Sequence, residues 1–263
     1  MEAYGLLKFC PGAEHFAQKH ELHFVQYYHL QFYIPCGIIL VFQGKGDNEM
    51  ANLMDAVTAD KIQAWLMGLN IRPSYNWEDV ETAMSDYGKP PFHAHVSDGA
   101  SKICFVFEKL DFVIKWSTEG ESEAMQEVNY YEEAKAQNLD KFFPMTEYFF
   151  SHNGVDFVVQ EKVTVQAGEV YGEYMEHLSH IGRTVSMQMI DKVEKDLNKV
   201  SGYTRRINRI WIACLLSIHG KKATKALCKF VQEHDINDLH GSNVGFKGNR
   251  PIILDFSGYH RND

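Results

Sequence analysis

The sequence predicts an α+β fold in which a strand-rich half is followed by a helical half. Residues 103–107 and 112–116 are short apolar runs separated by a turn, the pattern of two paired strands. Residues 147–160 contain two more such runs around a turn. Residues 168–202 and 204–234 then carry apolar side chains at helical spacing. A run of strands followed by a run of helices is typical of the α+β class.

The first 92 residues form a predicted N-terminal extension of unknown role, ended by a Lys-Pro-Pro stretch. Its most apolar window, residues 22–43, is interrupted by polar residues and divided by a proline and a glycine, so strands or buried elements are expected and not a membrane span. Helices are predicted at 60–69 and at 77–85, the second with Asn76 as its N-cap.

Three further signals position the elements of the remaining chain. Residues 121–138 are acidic and contain no glycine or proline, which predicts a helix of about five turns. Asn153-Gly154 is a hairpin turn signal between the later strands. Gly220-Lys221-Lys222 is expected to break the helices before residues 223–233, which lead into the next loop.

A group of oxygen-bearing side chains follows that helical segment. Asp238 is followed five residues later by Asn243, and Asp255 ends the next apolar run. Phosphoryl transfer requires an oriented acceptor hydroxyl and phosphate charge that is neutralised by metal ions. We expect Asp238 to orient the hydroxyl and accept its proton, and Asn243 and Asp255 to ligate Mg²⁺ or Mn²⁺.

This stretch resembles the catalytic loop and metal-binding strand of the protein-kinase-like superfamily, which includes eukaryotic-type protein kinases and the aminoglycoside and choline phosphotransferases. The resemblance implies a bilobal domain over residues 93–263, with an N-lobe to about 163 and a reduced helical C-lobe from about 164. It also implies that Lys115 contacts the α- and β-phosphates of ATP. Glu127 is the expected ion-pair partner of Lys115, with Glu123 and Glu132 as alternatives.

The remaining nucleotide contacts are expected from the same resemblance. A loop over the nucleotide should face the phosphates with the backbone amides of four residues, Gly99, Ala100, Ser101 and Lys102. Gln160 stands at the gatekeeper position, and the backbone of Glu161 and Val163 is expected to pair with adenine.

The departures from the family pattern are informative. Asn237 stands where typical protein kinases carry the arginine that docks a phosphorylated activation loop. His240, included with the catalytic residues, follows Asp238 as in small-molecule phosphotransferases. Ser257 replaces the glycine of the D-F-G motif. With the sequence ending at Asp263, the resemblance is to minimal kinases of bacterial effectors and phage proteins, whose C-lobe is truncated.

Composition narrows the setting and the partners. The 263 residues are 45% hydrophobic and can bury a substantial core. A formal net charge of −9 argues against general nucleic-acid or anionic-membrane binding. Five scattered cysteines without a C-x-x-C pair favour free thiols in a reducing cytoplasm, either the cell's own or that of a host.

The leading functional expectation is an ATP- and Mg²⁺-dependent kinase that phosphorylates a protein serine or threonine. A small-molecule phosphotransferase is one alternative, favoured by His240. A pseudokinase that binds a partner without turnover is the other, favoured by the loop with a single glycine and by the truncated C-lobe. Residues 1–92 could contribute a partner or self-association surface.

Overall fold

The computed structural model describes the backbone of residues 31–33 and 39–41, and residues 53–88, 90–98, 102–118, 123–165, 185–199, 207, 209–248 and 250–257. The chain divides into two compact units, Met1–Asn52 and Leu53–Asp263. In the first unit, β1 (Gln31–Tyr33) pairs antiparallel with β2 (Ile39–Val41), so the apolar window contains strands, as predicted.

The second unit begins with two capped helices. Helix α1 (Ala56–Leu69) ends at Asn70, which adopts the left-handed conformation. Helix α2 (Trp77–Tyr87) starts at the predicted N-cap Asn76, whose side chain accepts the amide of Asp79 while the Asp79 side chain accepts the amide of Asn76. These reciprocal bonds fix where the helix begins. The domain boundary near residue 92 stays a prediction.

A five-stranded antiparallel sheet forms the first half of this unit. Its strand order is β3-β4-β5-β7-β6. The strands are β3 (Ala94–Asp98), β4 (Lys102–Phe107), β5 (Phe112–Ser117), β6 (Thr146–His152) and β7 (Val155–Glu161). Asn153 and Gly154, both with positive φ, form the predicted turn between β6 and β7. Trp65 of α1 packs edge-on against Phe105 of β4, with ring centroids 4.9 Å apart.

Helix α3 (Glu123–Ala136) lies between β5 and β6 in sequence and contacts β5, β6 and β7. Its buried face includes Glu123, Glu127 and Tyr131, which recur every four residues. Burying two carboxylates on one helix face is costly unless each has a hydrogen-bonding partner. The two buried carboxylates of α3 therefore need hydrogen-bonding or cationic partners from neighbouring elements.

The second half is mainly helical. Helix α4 (Met187–Leu197) packs on α5 (Arg209–Glu233), which contains a non-helical residue at Gly220, where a break was predicted. A small sheet with the order β10-β9-β8 completes this half, formed by β8 (Thr164–Val165), β9 (Val244–Lys247) and β10 (Arg250–Ile253). Buried Trp211 of α5 donates to the Gly245 carbonyl at 3.1 Å. This bond fixes α5 against the strand that follows residues 238–243.

The α+β class predicted from the sequence is confirmed, with a strand-rich half preceding a helical half. Parts of the predicted helical segments, residues 168–184 and 200–206, lie outside the described residues. No helix in the described ranges combines the length and apolar character needed to cross a membrane.

Candidate active site

A buried ion pair joins the sheet to helix α3. The ammonium of Lys115 on β5 lies 2.8 Å from Oε2 and 3.1 Å from Oε1 of Glu127. Glu127 is fully buried and Lys115 is 9% exposed. The structure thus brings together the two residues that the sequence analysis paired.

Two uncharged side chains complete the surroundings of Glu127. Gln160 on β7 donates to Glu127 Oε2 at 3.0 Å and accepts from Lys115 at 3.2 Å. It also donates to the hydroxyl of Thr146 at 2.9 Å. The expected gatekeeper therefore holds both members of the ion pair, and this network of bonds stabilises a charged carboxylate in the core.

A second lysine reaches the same carboxylate from the neighbouring strand. In the register of β4 and β5, Cys104 lies opposite Lys115 and Lys102 opposite Ser117. Because alternate residues of a strand share a face, Lys102 and Lys115 project on the same side of the sheet. The Lys102 ammonium lies 3.1 Å from Glu127 Oε1 and 3.2 Å from Glu123 Oε2.

Lys102 also binds the end of the chain segment after β10. It forms an ion pair with Asp255 and donates to the buried hydroxyl of Ser257 at 2.7 Å. Three carboxylates, those of Glu123, Glu127 and Asp255, thus surround an ammonium that is itself 7% exposed. The sheet, α3 and the segment after β10 meet at this ammonium. We call Lys102 and the four side chains that contact it, Glu123, Glu127, Asp255 and Ser257, the Lys102 cluster.

The charges of the cluster shift the pKa values of its members. Burial acts to lower the pKa of Lys102, but the negative charges of Glu127, Asp255 and Glu123 outweigh it and raise that pKa above its ordinary value. Burial acts to raise the pKa of Asp255, yet the neighbouring ammonium groups of Lys102 and Lys115 lower it. Both groups therefore stay ionised at neutral pH.

Asp255 has a left-handed backbone conformation, and its side chain is partly buried and partly exposed. Its φ of 46° lies in the left-handed region, and the following residue, Phe256, is buried with its ring 4.8 Å from that of Phe143. Oδ1 of Asp255 is buried on the side of Lys102, whereas 37% of the side chain as a whole is exposed. Part of the Asp255 side chain is therefore within reach of solvent, although Oδ1 is not.

Asp238 lies in the loop between α5 and β9, where its orientation is set by Asn243. The Asn243 side-chain amide donates to the Asp238 backbone carbonyl at 2.8 Å and to its carboxylate at 3.1 Å. Since both bonds use the amide nitrogen, the amide oxygen of Asn243 faces away from Asp238. His240 Nε2 lies 3.5 Å from the other carboxylate oxygen of Asp238.

A backbone hydrogen bond links this loop to the Lys102 cluster. The amide of Leu254, the residue before Asp255, donates to the carbonyl of Asn243 at 2.8 Å. The amide of Asn243 in turn donates to the carbonyl of His240 at 2.9 Å. Asp238, Asn243 and Asp255 are thus connected through short stretches of main chain.

The expected adenine-binding segment lies at the end of β7. The amide of Glu161 donates to the Met145 carbonyl at 2.8 Å, so of its two backbone groups only the carbonyl can be offered to a nucleotide. Its carboxylate pairs with Arg250 at 2.6 Å and lies 3.9 Å from Lys247. Val163 follows β7 before the short strand β8.

Three expectations need comment. Lys102 was expected in a loop with its backbone facing the nucleotide, but it is the first residue of β4 and its side chain enters the core. Gly99, Ala100 and Ser101 of that loop lie outside the described residues. Of the alternative partners for Lys115, Glu132 is exposed, and Glu123 pairs with Lys102.

The sequence analysis did not assign a role to Ser257, although its hydroxyl contacts Lys102. A serine in place of the D-F-G glycine was the available signal, because it adds a hydroxyl at a position that ordinarily carries no side chain. A lysine just before an apolar strand was the corresponding signal for Lys102. The contact between Lys102 and Ser257 cannot be predicted from sequence spacing, since the two residues are 155 positions apart.

The chemistry of the side chains at this site fits a hard divalent cation. The carboxylate of Asp255 and the side-chain amide oxygen of Asn243 are oxygen donors of the kind that Mg²⁺ and Mn²⁺ prefer. Within the described ranges, no group of three or more His, Cys, Asp or Glu side chains forms a self-sufficient metal site. A cation here would need further oxygen ligands, such as phosphates or water.

Comparisons with known proteins find likenesses among solved structures. No family model and no curated protein matches the chain. Among solved structures, the ternary complex of streptomycin, ATP and APH(2")-IIa is similar over 63% of this chain and 65% of that chain, with 12% identity and a TM-score of 0.28. The chain therefore spans less than two thirds of the length of that structure. The streptomycin and ATP in that complex are ligands of that protein.

Proposed function

We propose that this protein is an ATP- and Mg²⁺-dependent phosphotransferase of the protein-kinase-like type, with a protein serine or threonine as acceptor. One observation carries the proposal. The buried pair of Lys115 and Glu127 is joined through Lys102 to Asp255, and the main chain beside Asp255 is bonded to the Asp238–Asn243 loop. A base, a phosphate-binding cation and a metal-binding carboxylate would all be needed for phosphoryl transfer, and these residues supply them.

Each residue has a defined part in the proposed reaction. Lys115, held by Glu127 and Gln160, would bind the α- and β-phosphates of ATP. Asp238 would orient the acceptor hydroxyl and take its proton as the new oxygen–phosphorus bond forms and the bond from the γ-phosphorus to ADP breaks. A bound Mg²⁺, held by Asp255 and Asn243, supplies neutralisation of the phosphate charge.

A small-molecule acceptor is the second candidate, and one feature favours it. His240 lies 3.5 Å from the Asp238 carboxylate, beside the proposed base. A histidine two residues after the catalytic aspartate is the feature by which the sequence resembles small-molecule phosphotransferases. The third candidate is a partner-binding pseudokinase, favoured by the Lys102 ammonium, which already neutralises Asp255.

A cytoplasmic location and a partner-binding segment are part of the same proposal. Among the described cysteines, Cys104, Cys214 and Cys228 are free thiols, which suits a reducing cytoplasm of the cell or of a host. A protein substrate would place its acceptor hydroxyl at Asp238, and residues 1–92 are the segment proposed for partner binding or self-association.

The deciding experiment measures phosphate transfer by intact mass. The purified full chain is incubated with ATP and Mg²⁺ in three separate reactions. These contain a serine- and threonine-rich protein mixture, an aminoglycoside, or choline as the acceptor. A phosphate adduct on protein supports the leading proposal, and an adduct on a small alcohol supports the second. Absence of every adduct, with ATP bound, supports the pseudokinase. Asp238→Asn is the matched control, because any genuine transfer should depend on that carboxylate.

A further inference from the structure

Lys102 is a buried cation with more partners than a structural ion pair needs. Its ammonium contacts the carboxylates of Glu123, Glu127 and Asp255 and the hydroxyl of Ser257. Glu127 already has Lys115 as a bidentate partner, at 2.8 and 3.1 Å. Of the three carboxylates, only that of Asp255 belongs to a side chain with substantial exposure, 37% against 6% for Glu123 and 0% for Glu127, so its contact with Lys102 is the one that a ligand from solvent can challenge.

The ion pair with Lys102 occupies the carboxylate that would bind the metal. That carboxylate is Asp255, and its assignment as a metal ligand rests on the proposed function. A divalent cation and an ammonium are attracted to a carboxylate by the same electrostatics, so the two compete for one group. With Oδ1 buried against Lys102 and part of the side chain exposed, Asp255 has one oxygen committed to the protein's own cation.

We infer that Lys102 is a positioning residue that acts as a built-in counter-ion of Asp255, so that divalent metal binds weakly to the nucleotide-free protein and enters together with the nucleotide. Phosphate oxygens would bring the additional negative charge and the missing ligands. Ser257 supports this role by fixing the ammonium with a 2.7 Å hydrogen bond. A glycine at that position could not make this bond.

The test uses Mn²⁺ alone as the probe, without nucleotide, and measures free Mn²⁺ by its paramagnetic resonance signal in the presence of the full chain. Wild-type protein should leave most of the Mn²⁺ free at equimolar concentration. Lys102→Met should bind Mn²⁺ at least about tenfold more tightly, because Asp255 then lacks its counter-ion. Adding Asp255→Asn to Lys102→Met should abolish the gain.

A charge-matched variant separates the specific contact from a general increase in negative charge. Lys102→Met combined with Glu123→Gln removes one positive and one negative group, so the formal charge of the cluster stays at its wild-type value while Asp255 loses the ammonium in direct contact with it. Lys115→Met instead makes the cluster more negative but leaves Lys102 on Asp255. The double variant should bind Mn²⁺ more tightly than Lys115→Met does, the reverse of the order that net charge alone predicts.

Four results would overturn the inference. These are tight Mn²⁺ binding by the wild type without nucleotide, no gain in the Lys102 variants, a gain that survives Asp255→Asn, and a gain in Lys115→Met that equals or exceeds the charge-matched one. Circular dichroism establishes that each variant is folded. If the Lys102 variants unfold, Ser257→Gly takes their place: it removes only the hydrogen bond that fixes the ammonium, and it should also raise the affinity for Mn²⁺, whereas an unchanged affinity would count against the inference. Since no ATP is present, failure of this inference is distinct from failure of the phosphotransferase proposal, which the mass measurement tests.

Discussion

The side-chain amide of Asn243 donates to both the backbone carbonyl and the carboxylate of Asp238, at 2.8 and 3.1 Å. One residue therefore fixes the orientation of the proposed base while turning its own amide oxygen away. This relationship gives Asp238 a defined direction without using the oxygen that Asn243 would contribute to a metal site.

Asp238→Asn should lower the turnover number by about a hundredfold or more and leave ATP affinity nearly unchanged, because proton acceptance acts mainly in the transition state. The amide is close in shape to the carboxylate, so the fold should be retained. Turnover is measured by initial rates, and ATP affinity by calorimetry on the same preparation. Wild-type turnover in this variant would place the base elsewhere.

Asp255→Asn should remove the metal-dependent part of nucleotide binding. For the wild type, ATP with Mg²⁺ at a hundredfold excess over its Kd should add about 2.7 kcal/mol of stability, a rise in Tm of roughly 5–10 °C. ATP with a chelator should give a smaller rise. In Asp255→Asn the two conditions should give equal shifts. Equal shifts in the wild type would contradict the assignment of Asn243 and Asp255 as metal ligands.

Glu127→Gln should destabilise the fold by about 3–5 kcal/mol, because the buried ammonium groups of Lys102 and Lys115 lose a charged partner. Urea denaturation measures the change in the free energy of unfolding. The matched control is Glu233→Gln, which breaks the exposed pair with Lys229 and should cost less than about 1 kcal/mol. Similar losses of unfolding free energy in the two variants would show that the buried Glu127 ion pairs stabilise the fold no more than an exposed pair does.

His219 should make stability depend on pH below neutrality. Burial, together with the charges of Lys141 and Arg250, lowers its pKa from 6.5 to about 4. The unfolded chain therefore takes up a proton at a higher pH than the folded protein. Stability is complete above pH 6.5 and falls as the pH drops toward 4, by on the order of 1–2 kcal/mol once solvent screening of this partly exposed ring is allowed for.

The matched variant for that prediction is His219→Phe. The His219 ring packs edge-on against Phe142 at 4.7 Å, and its buried Nε2 has no hydrogen-bond partner among the described residues. Phenylalanine preserves the ring contact and removes the unpaired nitrogen, so it should flatten the pH profile between 6.5 and 4 without loss of stability at pH 7. Urea melts at several pH values measure both effects. An unchanged slope would assign the pH dependence to other groups.

Local sequence signals were sufficient for elements whose determinants are close together in the chain. The Asn76 cap, the Asn153-Gly154 turn and the break at Gly220 each depend on one or two residues. The pairing of Lys115 with Glu127 was predicted through the family resemblance, and the two residues are only 12 apart.

The contacts of Lys102 could not be predicted in the same way. They depend on the register of β4 against β5, which places its side chain on the face of Lys115, and on a segment 155 residues further along the chain. A short polar stretch before a strand is compatible with either a loop or a strand end. Only the buried glutamates of α3 require a second cation, and their burial is a property of the fold.

Glu127 receives an ammonium group from each of two neighbouring strands, since Lys102 and Lys115 both lie 3.1 Å from Oε1. This is redundancy of charge: loss of either lysine alone would still leave the buried carboxylate with one positive neighbour. A single substitution on the sheet therefore does not strand the charge of Glu127, whereas a substitution of Glu127 leaves two ammonium groups without it.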